Sequence, residues 1–375
     1  LHDLAHAYKG WKILESMYGK EDDETSFIDY FWTWRFLYFP FFSLLRVPLP
    51  QARIYHSPST GYAGLLGSIA KMRYNRPFLL TEHGIYTRER KIDISTSDWI
   101  YSETADQLKV VDKKEVFKDW WMSLFEMCSS LSYQNADKIL TLSDINRQIE
   151  INHGADPEKI RVIPNGIFVP SEIQDKRDLN KKVVGFVGRV VPIKDVKTFI
   201  RACKVVKSHI PNLEVWILGP TDEDEDYFKE CQILVEMSGL QDVIQFKGQV
   251  NLKDYYPQLD LVVLTSISEG QPLVSLEAHA YKIPVVSTEV GACKEMTYGF
   301  TAEDQALGKS GIVTPVCDPS ATAEAVLRIL QNDQMHADMG EAGRRRVEKF
   351  YRQEDMLARY QKLYSYYTEE VRWQG

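Results

Sequence analysis

Cysteine is scarce and scattered in this sequence: Cys128, Cys203, Cys231, Cys293 and Cys317 are all there are in 375 residues. Their number is odd and none are paired at the close spacing of zinc ligands, which argues against a disulfide scaffold and against a structural metal site. Buried, reduced thiols in a cytoplasmic protein are the expectation. Basic charge is also short, with 45 Lys and Arg against 53 Asp and Glu and a net charge of -8. A nucleic-acid partner needs a basic face, so none is expected. No apolar run is long and clean enough to span a bilayer, because the most apolar region, 27–50, is interrupted by Asp29, Arg35, Pro40, Arg46 and Pro48. A G-x-G-x-x-G fingerprint is missing too, and Gly185 with Gly188 does not supply one, which disfavours a nicotinamide cofactor. The start lacks a signal peptide, and Leu1 is not an initiator methionine, so a fragment or a mature form is expected.

What is present is enough chain for two cores and an alternation of apolar, strand-like runs with helical segments. In the first half, ARIYHS, RPFLLTEHG, ADKILTLSD and EKIRVIPNGI read as strands. STGYAGLLGSIAKMRY between the first two reads as a helix capped by Ser59 or Thr60, which makes a parallel strand-helix-strand unit. Ser143 is the expected cap of the helix after the third strand, and Asn165-Gly166 reads as a tight turn. The polar stretch SEIQDKRDLNKK then reads as a linker. From Lys182 on, VVGFVG, LEVWILG, VIQFKG, DLVVLTS, PVVSTEV and GIVTPV are six evenly spaced strands, predicting a doubly wound parallel sheet. The expected domains are 1–168, a linker at 169–181, 182–350, and a terminal amphipathic helix from 351 to 375 that returns to the first domain.

Parallel sheets bind ligands at the carboxyl ends of their strands. His83 stands at such an end in Thr81-Glu82-His83-Gly84 and is a site candidate; His56 is a weaker one, and Arg88 and Arg90 serve either a ligand or a solvated loop. Gly188 to Asp195, GRVVPIKD, places Arg189 and Lys194 where a diphosphate could lie. TSISEGQPLVSLEAHA, 265–280, carries Glu269 and Glu277 around a strand-turn-helix junction, with Pro272 expected at the first helical position and the amides of Leu273, Val274 and Ser275 open to an anion. The acidic run TDEDEDYF is expected at a helix N-terminus rather than on a metal. Arg344, Arg345 and Arg346 read as a solvated face. The ten aromatics from Phe27 to Phe42 read as core and packing surface, with a partner-binding patch as the alternative.

Taken together, TEHG at 81–84, TLSD at 141–144, IPNGI at 163–167, GRVVPIKD at 188–195, FKGQV at 246–250 and SEGQPLVSLEAHA at 268–280 resemble the family-4 type of retaining glycosyltransferases with the GT-B fold. STGYAGLLG and TEHGIYTRERKIDI look closest to the PelF glycosyltransferases of the Pel exopolysaccharide pathway. The resemblance implies an α/β fold of two Rossmann-like domains facing across a cleft, the first of them incomplete or reorganised because no glycine-rich loop precedes Arg53. It implies a UDP-sugar donor, UDP-glucose or a relative, a saccharide acceptor, membrane-associated polysaccharide synthase subunits as partners, and neither metal nor cofactor. By that resemblance Arg189 and Lys194 bind the diphosphate, Glu277 the ribose and Glu269 the transferred sugar. The amides of Leu273 to Ser275 lie near the phosphates, Gln249 and Val250 hold the uracil, and His83 lines the sugar pocket. A general acid/base pair, the first reading of the two glutamates, gives way to two acceptors of hydrogen bonds from diols. The rival readings are a GT-B epimerase or phosphorylase and a non-catalytic nucleotide-sugar-binding subunit of an envelope assembly.

Overall fold

In the computed structural model, residues 8–18, 26–96 and 114–369 are described. The chain divides into two compact units: Leu1–Thr141 with Arg147–Arg161 and Tyr364–Gly375, and Leu142–Asn146 with Val162–Leu363.

The first unit begins with helices α1 (Tyr8–Tyr18) and α2 (Phe27–Arg46), followed by β1 (Tyr55–Ser57), α3 (Gly61–Tyr74), β2 (Phe78–Glu82), α4 (Tyr86–Thr96), α5 (Lys114–Asn135) and β3 (Lys138–Thr141). Helix α6 (Asp144–Asn152) and β4 (Ile160–Val162) follow, and the sheet runs β1-β2-β3-β4 in space, with β1 parallel to β2 and β2 to β3. Every residue of β2 is buried, so its sequence, FLLTE, does not alternate between apolar and polar positions. Ser143 caps α6 as expected, its Oγ accepting from the Asn146 amide at 3.2 Å. Thr60 stands at the N-cap of α3 but its hydroxyl donates to Glu82 instead of capping. The aromatic region is α2: Tyr30, Trp34 and Leu37 are buried, Tyr30 edge-on to Trp120 of α5, while Trp32 and Phe36 remain exposed.

The second unit holds β5 (Lys182–Val187), α7 (Val196–His209), β6 (Leu213–Leu218), α8 (Glu225–Met237), β7 (Ile244–Gly248), α9 (Leu252–Tyr255), β8 (Leu261–Leu264), α10 (Leu273–Ala280) and β9 (Val285–Thr288). Then come α11 (Cys293–Tyr298), α12 (Ala302–Gln305), β10 (Gly311–Thr314), α13 (Pro319–Leu330), α14 (Asp333–Phe350) and α15 (Gln353–Glu369). The six strands form one parallel sheet in the order β10-β9-β8-β5-β6-β7, covered on each face by its own apolar cluster. Strand order reverses between β5 and β8, so the crevice at the carboxyl ends of those two strands is the topological switch point, where such sheets take ligands.

Several local readings change. Residues 169–181 lie inside the second unit, with the Lys176 amide on the Pro257 carbonyl at 2.9 Å. Helix α15 starts in the second unit, and its residues from Tyr364 on belong to the first. Asn165-Gly166 is no tight turn: Ile167 pairs in parallel with Arg352, and a Cβ on Gly166 would lie 2.4 Å from the Arg352 carbonyl oxygen. Glycine is there to let a second backbone pass. Arg344 and Arg346 are not a solvated face, since both are buried; Arg346 is paired with Asp304 at 2.6 Å and donates to the carbonyls of Thr297 and Gly308. A guanidinium survives burial only when its charge and donors are met in this way. Four cysteines are buried, but Cys317 is exposed.

Candidate functional site

Two loops meet at the switch point. After β5 the chain runs through Gly188 to a 3-10 turn, Pro192–Lys194, closed by Asp195 in the left-handed region (φ 46°), whose carboxylate caps α7 by accepting from the Thr198 amide at 3.2 Å. After β8 it runs through Thr265 to Pro272 before α10. The Thr265 hydroxyl donates to the carbonyls of Lys194 (3.2 Å) and Asp195 (2.8 Å), and the Ile267 amide to that of Ile193 (2.9 Å). These bonds fix the backbone of Lys194 against the loop of Glu269.

The side chains meet as well. The Lys194 ammonium is ion-paired with the Glu269 carboxylate, and Ser266 Oγ donates to Glu269 Oε1 at 2.7 Å. Lys194 and Glu269 keep 19% and 11% of their side chains accessible, so the pair is sheltered but reachable. The loop after β9 braces it from behind: Thr288 Oγ1 donates to the Ser266 carbonyl at 2.6 Å and the Ala292 amide to that of Gly270 at 2.9 Å. Gly291 in that loop has φ 48°, and a Cβ there would lie 2.1 Å from the Glu269 carbonyl oxygen. Gly291→Ala is therefore expected to lower stability by about 1–3 kcal/mol, measured by chemical denaturation. A denaturation midpoint equal to that of the parent would show that the loop can yield.

Pro272 is the N-cap of α10, one position earlier than its expected place inside the helix, and the Ser275 amide bonds back to the Pro272 carbonyl at 3.1 Å. Of the three amides expected to be open, Ser275 is thus engaged, while Leu273 and Val274 occupy the first two helical positions, whose N–H groups lie outside the helix ladder. Glu277 is half-buried one turn further on, its Oε2 accepting from the Tyr256 hydroxyl at 2.7 Å. Burial and this carboxylate push the Tyr256 phenol well above its ordinary range, so it stays a donor. No sequence pattern marks Tyr256 as a site residue, its contact spanning 21 positions, and although Thr265 opens the 265–280 motif, its bond to the Lys194 carbonyl spans 71. Ser266 lies inside the motif, but only the fold shows that its hydroxyl turns onto Glu269.

Arg189 points elsewhere. It is half-exposed and paired with Glu223 at 2.7 Å, in the acidic stretch that goes on to begin α8, where Asp224 caps by accepting from the Tyr227 amide at 2.9 Å. The loop after β7 carries Gln249, exposed, and Val250, half-buried beside Trp216 and Tyr255. Trp216 stands edge-on to Tyr255 with ring centroids 5.6 Å apart, and Lys247 lies over its ring at 5.3 Å.

In the first unit His83 is exposed in the turn after β2, its imidazole pKa held below the usual value by partial burial. His56 has both ring nitrogens engaged, Nδ1 with the Tyr364 hydroxyl (2.6 Å) and Nε2 with Thr81 Oγ1 (2.8 Å), which suits a structural role. Arg90 pairs with Asp93 at 2.7 Å within α4, and Arg88 is exposed. Beneath this turn lie two buried carboxyls. Glu82 accepts from the Tyr133 hydroxyl (2.5 Å), the Tyr86 amide (3.0 Å) and Thr60 (3.3 Å), and burial pushes its pKa up to about 7. Glu150 is fully buried, and burial, then the charge of Glu82, pushes it up to about 9 against the smaller opposing effects of the Thr141 hydroxyl and Arg147.

A sheltered lysine, two helix amides outside the ladder and two carboxylates at the switch point can hold an anion flanked by hydroxyls. Residues 171–346 match the family "Glycosyl transferases group 1". Residues 1–158 match a "Domain of unknown function (DUF3492)". The chain is similar to D-inositol 3-phosphate glycosyltransferases, such as that of Paenarthrobacter aurescens, 30% identical over 53% of this chain and 50% of that protein. The chain spans about half the length of these curated relatives. The capsular polysaccharide biosynthesis glycosyltransferase CapM of Staphylococcus aureus is 23% identical over 88% of this chain and 83% of its own. Among solved structures, Anabaena HepE in complex with UDP and glucose is similar at TM-score 0.64 and 19% identity, over 84% of this chain and 77% of that one. Sucrose-phosphate synthase of Thermosynechococcus elongatus gives TM-score 0.65 and 22% identity, over 83% and 73%. At these identities the likeness speaks for the fold, which is that of the GT-B glycosyltransferases, α/β with two parallel-sheet, Rossmann-like units.

Proposed function

We propose that this chain is a retaining glycosyltransferase that moves a hexose, glucose, from a UDP-sugar to a growing exopolysaccharide, as PelF-type enzymes do, without a metal ion. The observation that carries the reading is the Lys194–Glu269 pair held at the switch point between β5 and β8. Breaking the bond from the anomeric carbon to the diphosphate builds negative charge on the leaving group and positive character on the sugar. Lys194 and the amides of Leu273 and Val274 supply the compensating positive charge, with Arg189 available if it leaves Glu223. The acceptor oxygen bonds to the anomeric carbon on the face from which UDP departs, and its proton passes to the phosphate oxygen released. Glu269 and Ser266 accept from and orient sugar hydroxyls, and Glu277, steadied by Tyr256, takes the ribose diol. Gln249 and Val250 are assigned to the uracil and His83 to the transfer step.

HepE, solved with UDP and glucose, supports the donor class, and CapM the polymer class. The same reading places the protein in the cytoplasm beside membrane-associated polysaccharide synthase subunits. The exposed Trp32 and Phe36 of α2 offer a surface for such a partner, and no described helix is long and apolar enough to cross a membrane.

UDP release from UDP-glucose is expected to be the same with and without EDTA; abolition by the chelator would overturn the metal-free assignment. Calorimetry with UDP, UDP-glucose, UDP-N-acetylglucosamine and GDP-mannose should show a preference for uridine, and its absence would overturn the donor assignment. Glu277→Ala is expected to weaken UDP binding roughly 10- to 100-fold, the worth of a charged hydrogen bond. Glu269→Gln should spare UDP and impair transfer. Equal loss of UDP affinity in both would refute the division of roles.

A further inference from the structure

The second unit has a cavity of about 420 Å³ that the nucleotide-sugar reading leaves unused. It lies at the other end of α10 from the proposed diphosphate site, where the helix ends at Tyr281, and it is walled by the segment around Ser171–Arg177 and by α14. Its size falls in the range of small-molecule pockets.

The lining is charged yet neutral in sum. Arg177 grips Asp175 through two bonds (2.9 and 2.6 Å), Lys282 pairs with Glu341 (2.7 Å) and Arg344 with Glu348 (2.6 Å), so each of its three cations already has an anion. An anionic ligand would find no uncompensated charge there, and neither would a cation. What the cavity offers is donors and acceptors standing side by side, the arrangement that vicinal hydroxyls satisfy. It also offers an apolar side: Tyr256 and Tyr281 stack with centroids 5.2 Å apart, next to Ile173, Leu259 and Ile283. Polar edges over an aromatic and aliphatic floor fit a ring with hydroxyls on its rim and C–H groups on its face.

We propose that this cavity is a second saccharide site, binding a neutral pyranose or a short oligosaccharide apart from the nucleotide-sugar site. Tyr256 lines it and also donates to Glu277, so the two sites share one side chain. The proposal does not need the chain to turn over a donor, because binding alone is read.

The full chain would be titrated with glucose, N-acetylglucosamine, maltose and cellobiose by saturation-transfer NMR and calorimetry, with inorganic phosphate as the charged control. Saturable binding of at least one sugar is expected, roughly millimolar for a site of this kind. Binding should be lost in Ser171→Trp, which fills the cavity from an exposed position, and lost or weakened at least about tenfold in Tyr281→Ala, which removes half of the aromatic floor. Thermal melting checks the fold of each, and either variant decides the matter if the other fails to fold. No sugar binding tighter than about 10 mM, or preference for phosphate, would overturn the proposal. So would sugar binding that survives both variants but disappears in Glu269→Gln, since that places the sugar at the nucleotide-sugar site. UDP binding, measured in parallel, tests the proposed function separately.

Discussion

In Lys194→Ala, UDP release from UDP-glucose is expected to fall by about 10²- to 10³-fold, the range seen when one fixed positive group is removed from a developing oxyanion. The size follows from where the lysine sits. Its backbone is pinned by Thr265 to the loop that carries Glu269, its side chain is mostly sheltered, and the two loops belong to neighbouring central strands. A charge held this firmly needs little reorganisation when the leaving group forms, and low local dielectric makes it count for more than in water. Removing it has a second effect, because Glu269 is left with Ser266 alone and its negative charge then faces the diphosphate. UDP affinity should therefore fall too, and the double variant Lys194→Ala/Glu269→Gln should bind UDP better than Lys194→Ala does. Lys194→Arg keeps the charge but not the compact point geometry, so partial activity is expected. Steady-state release of UDP, read beside calorimetry, separates the two effects. A kcat within about threefold of the parent in Lys194→Ala would remove the lysine from the mechanism.

Glu150→Gln is expected to stabilise the first unit above neutral pH by roughly 3 kcal/mol or more, and to flatten its dependence on pH. Both Glu82 and Glu150 have folded-state pKa values raised above the ordinary carboxyl value, to about 7 and about 9. The folded unit thus holds protons that the unfolded chain gives up. Their stabilising contribution is complete below about pH 4.5 and shrinks as pH rises through about 7 and then about 9. A side-chain amide does not titrate in this range, so the slope contributed by Glu150 should vanish in the variant, while that of Glu82 remains. Scanning calorimetry of parent and variant at mildly acidic, neutral and alkaline pH checks this. Parallel curves for the two proteins would show that Glu150 is solvated or paired in solution.

The second unit was largely legible because a parallel strand buried on both faces leaves a mark that nothing else in the chain imitates. VVGFV, LEVWIL and LVVL each end close to a glycine or a small polar residue, and each became a central strand within a residue or two. Lys194 and Glu269 were legible for the same reason, since each follows such a strand. What stayed hidden depends on residues far apart in sequence. The burial of Arg346 needs Asp304 and the Gly308 carbonyl, 42 and 38 positions away, and three arginines in a row look like surface until those partners are known. Gly166 looked like a turn because Asn-Gly usually is one, and only the passage of Arg352 explains it. Glu82 and Glu150 are 68 positions apart and give no sign in the sequence that they share one buried space.

Trp216 gives the second unit an optical reporter. It is the only tryptophan between residues 142 and 363, and it packs against Tyr255 in the cluster that also takes up Val250 of the loop assigned to the uracil. On the proposed assignment of that loop to the uracil, and with the tryptophans elsewhere in the chain replaced by phenylalanine, its emission is expected to change when nucleotide binds. Stopped-flow mixing could then give the rate constants for donor entry and UDP exit without an acceptor, a label or a coupled enzyme.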